Sequence, residues 1–193
     1  MNRRRFVADA AAFLALAGLP GRVDARERSA SPAPESSSSP NQLVHGIDSR
    51  LTLTVNRPVD LKLQALDAPD FHLTACRGLI VFLNIFATWC GPCQDEQPAF
   101  IGFAAAHADD TVVVGVNYGE ADDLVRRYRK RYGIPYLIAM DRKETLVPVL
   151  FRQSIHLPTT IVVGPDGIVS SAWIGDCDRA WLESERLAAF RTA

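Results

Sequence analysis

Cys90 and Cys93 are separated only by Gly91 and Pro92, directly after a continuous apolar run at residues 79–86. A run this short reads as a central strand covered on both faces. Residues 92–107 read as a helix, so the first thiol falls at a helix N-terminus. Free N–H groups and the positive end of the macrodipole favour a thiolate there. Pro92 suits the first helical turn, because its missing N–H would have no partner. Gly91 and Pro92 make a tight link that lets one sulfur reach the other. Only a thiolate attacks a disulfide, so Cys90 is the expected nucleophile. Cys93, one turn in and more buried, is expected to resolve the mixed disulfide, which makes Cys90–Cys93 a redox-active pair. A half zinc site and a structural disulfide are the competing readings. Against zinc, no second Cys-x-x-Cys exists, and Cys76 and Cys177 stand alone.

The elements that must position this pair are legible on either side of it. Leu51-Thr-Leu-Thr-Val55 and Leu61-Lys-Leu-Gln-Ala65 alternate strictly around Asn56-Arg57-Pro58, a hairpin signal. Asp67-Ala68-Pro69-Asp70 reads as a turn and residues 71–73 as short and extended. A second buried strand is expected over residues 111–116. A charged helix follows over 121–132, ended by Gly133 and Pro135. A strand at 136–140 and a helix at 144–153 come next. Strands at 159–163 and 168–173 flank Gly164-Pro165-Asp166-Gly167, whose Asp-Gly predicts an antiparallel hairpin. A closing helix at 181–190 has Trp181, Leu182, Leu187 and Phe190 as candidates for its buried face. Trp173 and Trp181 read as core, and Trp89 as a surface residue of the active site. Strand–helix–strand–helix, then a hairpin and a last helix, means α/β with a mixed sheet between helices.

The chain opens with Arg3-Arg4-Arg5 and a short Ala/Leu stretch interrupted by Asp9, followed by Val23-Asp24-Ala25. This pattern predicts an export signal over residues 1–25, twin-arginine-like or Sec. Removing it leaves 17 basic and 20 acidic residues, a net charge of −3, against −1 for all 193 residues. Residues 26–42, with six Ser and three Pro and no large apolar side chain, predict a disordered linker. The folded domain is expected over 43–193. With 48% hydrophobic and 22% charged residues, the chain can bury a full core. Near-neutral charge argues against nucleic-acid binding. No run of about 18 apolar residues offers a membrane span. Four cysteines are too few for a disulfide scaffold. No phosphate loop, dinucleotide fingerprint or His-Glu-x-x-His motif is present.

The stretch Leu83-Asn84-Ile85-Phe86-Ala87-Thr88-Trp89-Cys90-Gly91-Pro92-Cys93 resembles the thioredoxin superfamily, and more closely its exported TlpA-like branch. Glu96 and Pro98 stand where that branch favours them. Leu157-Pro158-Thr159-Thr160 resembles the family's cis-proline loop, and Gly164–Val169 the hairpin after it. Gly175 matches the glycine that closes the substrate groove. The resemblance covers roughly residues 70–192. It implies a thioredoxin fold, a mixed sheet flanked by helices, to which the N-terminal β-hairpin is an addition. It implies that Cys90 attacks, Cys93 resolves, and Pro158 is cis beside the disulfide. The implied groove comprises Trp89, Gly91, Pro92, Leu157, Thr159 and Gly175. The implied activity is a periplasmic protein-disulfide reductase, recharged by a membrane thiol carrier and acting on apocytochrome c or copper-site assembly proteins. It is expected to be a monomer that needs no flavin, nicotinamide or metal cofactor. An uncleaved N-terminal segment would tether it.

Where cytosolic thioredoxins carry a buried Asp, this chain has Asn84, which cannot accept a proton. Glu96, at i+3 from Cys93, is the nearest substitute acceptor; a solvated helix glutamate is the plainer reading. The same residues leave a different class open, a Cu(I)-binding metallochaperone using Cys90, Cys93 and His156. Cys76 and Cys177 are expected at opposite ends of the sheet, which disfavours their pairing. Cys177, just after Gly175, is a candidate third redox thiol. The basic run Arg126–Arg131 reads as the solvated face and last turn of a helix.

Overall fold

In the computed structural model, residues 58–144 and 156–191 are described. The elements are β1 (Lys62–Ala65), β2 (Phe71–His72), a 3-10 turn (Leu73–Cys76), β3 (Ile80–Phe86), α1 (Gly91–Asp95) and α2 (Gln97–Ala106). Then follow β4 (Thr111–Tyr118), α3 (Asp122–Tyr132), β5 (Leu137–Asp141), β6 (Thr159–Val163), β7 (Val169–Ile174) and α4 (Arg179–Arg191). They build one seven-stranded sheet in the order β2-β1-β5-β4-β3-β6-β7.

β3 is buried along its whole length, as its apolar sequence, interrupted by Asn84, requires. Its side chains alternate between two cores. Ile80, Phe82 and Phe86 face the cluster shared with α1, α2 and α4. Val81, Leu83 and Ile85 face the cluster that holds Phe71, Leu73 and Cys76. β3 runs parallel to β4 and antiparallel to β6, and β6 is antiparallel to β7. β3 and β7 therefore point the same way. α3 ends at Gly133, whose left-handed φ of 63° lets its N–H return to the Arg129 carbonyl. Along α3, Arg126 pairs with Asp67, Asp122 and Asp123 on the surface.

Several expectations need correction or bounding. The helix expected over 92–107 is two helices that meet at Glu96. Pro98 accompanies the break: lacking an N–H, it cannot donate to the Gln94 carbonyl, and the Glu96 N–H reaches that carbonyl while keeping its helical bond to the Pro92 carbonyl at 3.2 Å. In the last helix the buried residues are Leu182, Glu185 and Ala189, whereas Leu187 and Phe190 are exposed. Arg186 covers the Phe190 ring at 5.1 Å. Trp173 is not core; it is 48% exposed on the edge strand β7, tilted against a half-buried Trp181. Strand β1 forms its hairpin with β2, folded over the Asp67–Asp70 turn, and joins the main sheet through β5. The strand expected at 51–55, most of the helix expected at 144–153, the export signal at 1–25 and the linker at 26–42 lie outside the described residues.

Candidate active site

The site sits where β3 ends and α1 begins. Cys90 is the N-cap of α1, and its sulfur accepts the Cys93 N–H at 3.2 Å. Pro92 occupies the first turn. Cys90 and Cys93 are joined as a disulfide with their Cα atoms 5.2 Å apart. Both are buried, whereas Trp89 beside them is 68% exposed and Gly91 and Pro92 are open to solvent. The exposed surface next to the disulfide is thus made by Trp89, Gly91 and Pro92.

Behind Cys93 the helix break at Glu96 frees a carbonyl. The Cys93 carbonyl accepts from Gln97 Nε2 at 3.1 Å and from the Tyr128 hydroxyl at 3.3 Å. Gln97 Oε1 in turn accepts from the buried Tyr136 hydroxyl at 2.8 Å. Side chains thus replace the missing helical bond and fix the resolving cysteine.

Glu96 is not a solvated helix residue: only 3% of it is exposed. Its carboxyl accepts from Asn84 Nδ2 at 2.7 Å and from the Cys177 N–H at 3.0 Å. Burial pushes its pKa up to about 7; the two hydrogen bonds pull it down and Asp176 adds to the rise. A carboxyl that titrates near neutrality, one turn beyond Cys93, can take and return a proton. Asn84 also donates to Thr160 Oγ1 at 3.3 Å, while its Oδ1 has no partner.

The loop opposite completes the site. The Leu157–Pro158 bond is cis, as the resemblance implies. The Pro158 carbonyl accepts the Gly175 N–H at 2.9 Å, and the Thr159 hydroxyl donates to the His156 carbonyl at 2.6 Å. Gly175 has a φ of +123°, a conformation a side chain would strain. Leu157 is half-buried, with contacts to both cores.

Cys76 and Cys177 are both free and buried. Burial pushes the Cys76 thiol up to about 11. It drives the Cys177 thiol higher still, with Glu96, Asp176 and Asp178 adding to the rise and the Thr160 hydrogen bond opposing it. A thiol held neutral in this way is a poor third nucleophile. What Cys177 supplies is its backbone N–H to Glu96. Among the described residues, no group of three or more His, Cys, Asp or Glu side chains is placed to hold a metal ion. Sequence reasoning missed Tyr128 as a partner of this site, and the hydrogen-bonding roles of Thr160 and of the Cys177 N–H. These residues come from α3, β6 and the loop after β7, and no local spacing links them to the cysteines.

The pattern of the AhpC/TSA family matches residues 55–172. The chain is 32% identical over 118 residues to a thiol-disulfide oxidoreductase ResA of Geobacillus thermodenitrificans, covering 60% of this chain and 66% of that one. It is 30% identical over 126 residues to a ResA of Geobacillus kaustophilus, covering 64% and 71%. Among solved structures, a thiol:disulfide interchange protein of the thioredoxin family from Chlorobium tepidum superposes with a TM-score of 0.62. That match has 26% identity and covers 70% of this chain and 99% of that one.

Proposed function

This chain belongs to the AhpC/TSA family and is a thiol–disulfide oxidoreductase of thioredoxin fold, and on that premise we propose that it is an exported reductase of disulfides in partner proteins. The observation that carries the exchange chemistry is the buried Glu96 one turn beyond the Cys90–Cys93 pair, beside a cis-Pro158 loop; the reductase direction rests on the TlpA-like resemblance.

The cycle runs as follows. The Cys90 thiolate attacks one sulfur of the partner's disulfide, and the partner's other sulfur leaves as a thiolate. Cys93 gives its proton to Glu96 and attacks the Cys90 sulfur of the mixed disulfide. The partner's second thiolate leaves, and two electrons have passed from the pair to the partner. The oxidised pair must then be reduced by an external dithiol, which the resemblance assigns to a membrane thiol carrier. Trp89, Gly91, Pro92, Leu157, Thr159 and Gly175 form the groove in which the partner's chain lies. The backbone of Leu157, held close by cis-Pro158, offers it a strand-like edge. Export rests on the basic and Ala/Leu-rich residues 1–25, with the periplasm as destination. Apocytochrome c or copper-site assembly proteins are the substrates the TlpA-like resemblance favours.

The test is turnover of a protein disulfide in the presence of a chemical dithiol. Cys90→Ser is expected to abolish turnover, and Cys93→Ser to accumulate partner-linked mixed disulfides visible by mass. Full turnover by Cys90→Ser overturns the proposal.

A further inference from the structure

Thr88, two residues ahead of Cys90, has every polar group held by another side chain. Its N–H donates to Glu120 Oε2 at 2.7 Å, and its hydroxyl donates to Glu120 Oε1 at 2.6 Å. Its carbonyl accepts from Gln94 Nε2 at 2.8 Å, and Gln94 Oε1 accepts from the Tyr132 hydroxyl at 3.0 Å. Glu120 is itself fixed. Its Oε2 also accepts from Asn117 Nδ2 at 2.7 Å, and its N–H donates to Asn117 Oδ1 at 3.3 Å. Asn117 is buried and lies in register with Phe86, at the end of β3. One carboxyl group in the β4–α3 loop thus receives three short hydrogen bonds, two of them from the residue that leads into the disulfide. Bonds to a carboxylate are the strong class.

The placement carries a cost. Two residues of extended chain span at most about 7 Å, so a negative group stands near a thiol that must ionise. A nearby negative charge alone opposes that ionisation. A group that also fixes the backbone can outweigh this, because Cys90 gains from the helix N–H groups only while it stays at the cap of α1. We infer that Glu120 is a positioning residue for the disulfide chemistry: through Thr88 it holds Cys90 at the N-cap of α1, where the thiolate is stabilised. This rests on the reading of Cys90 as the nucleophile. Other titratable groups at this end of the sheet include Cys93 on α1, Glu96 after it, Tyr128 and Tyr132 on α3, Tyr136 ahead of β5, and Asp176, Cys177 and Asp178 after β7. Glu120→Gln alters none of these residues, and removes a charge that helps to raise the Tyr128 hydroxyl.

The sign of one titration separates the possibilities. In the reduced full-length protein, the rate of iodoacetamide alkylation is followed against pH, with the modified cysteine identified by mass. Glu120→Gln keeps the shape but offers one acceptor where three donors converge. Its Cys90 midpoint is expected to rise by about one pH unit, a tenfold loss of thiolate below the midpoint. Thr88→Val removes the hydroxyl and keeps the N–H. It is expected to raise the midpoint less, and to add nothing on top of Glu120→Gln. A role in global stability alone would lower the unfolding temperature without moving the midpoint. An unchanged midpoint, or a fall as expected if Glu120 acts only through its charge, overturns the inference. Alkylation of Cys93 ahead of Cys90 in the unaltered protein overturns the functional reading as well, and so identifies which of the two has failed.

Discussion

The two ends of the central sheet are built from the same strands and hold polar groups in opposite ways. At the end where β3 and β4 begin, Arg186 of α4 pairs with Asp110, and its Nε also donates to Thr111 Oγ1 at 3.2 Å. Burial pushes Asp110 up, but hydrogen bonds from Arg186 and Thr111 more than offset this and leave its carboxyl below the usual range. Between α2 and α4, His107 and Arg179 likewise hold Glu183. These groups sit at the solvent edge, each matched to a partner. At the end where β3 stops, Glu96 is buried with neutral donors only, and its carboxyl is raised to about 7. Asn84 beside it leaves an oxygen unpartnered. At one end carboxyls are matched to charged partners; at the other the Glu96 carboxyl is buried against neutral donors beside the disulfide.

The cysteines make the sharpest version of this contrast. Cys90 and Cys93 stand at the Glu96 end, and Cys76 at the Asp110 end, with its thiol pushed up to about 11 by burial. Cys93→Ala is expected to reduce multiple-turnover disulfide reduction by at least about a thousandfold, since the mixed disulfide has no internal route out. Cys76→Ala is expected to leave turnover unchanged and cost only the stability of a small buried side chain. Loss of turnover in Cys76→Ala would break the contrast.

Glu96 gives the next effect. Its folded pKa lies above the ordinary 4.5, so the native state holds the extra proton between these values. Its contribution is fully present below about 4.5 and is lost as pH rises through 7. At 1.36 kcal/mol per pKa unit, the loss is on the order of 3 kcal/mol. Denaturant unfolding of the oxidised protein is expected to show stability falling across this window, and Glu96→Gln to flatten it. The same substitution is expected to slow resolution by Cys93 by about a hundredfold, the low end of general acid–base effects, and to remove its pH dependence near 7. A wild-type profile that is flat from pH 5 to 8 would contradict the buried acceptor.

The smallest effect belongs to the Asp110 end. Arg186→Ala is expected to cost about 1 kcal/mol or less in thermal unfolding, more weakly at high salt, with turnover unaltered. A change in turnover would mean that the two ends are coupled.

Much of this was readable before the structure. The Cys90–Cys93 pair, the buried strand ahead of it and the Gly164–Gly167 hairpin are local patterns with local causes. The helix break was carried by one residue, Pro98, whose missing N–H can be read in advance but whose consequence for Glu96 cannot. The hydrogen bonds to Glu96 come from positions 12 and 81 residues away, and Glu120 lies 32 residues from Thr88. Only the parallel pairing of β3 with β4 and the return of β6 and β7 bring them together. The face of α4 was misread because Leu187 and Phe190 are apolar, whereas the sheet receives Leu182, Glu185 and Ala189.

The direction of electron flow is the central claim, and the reduction potential of the Cys90–Cys93 pair tests it most directly. Redox titration followed by thiol alkylation and mass is expected to give a value near that of thioredoxin, about −270 mV. A value nearer −120 mV, that of a strong disulfide-forming oxidant, would contradict the assignment as a reductase.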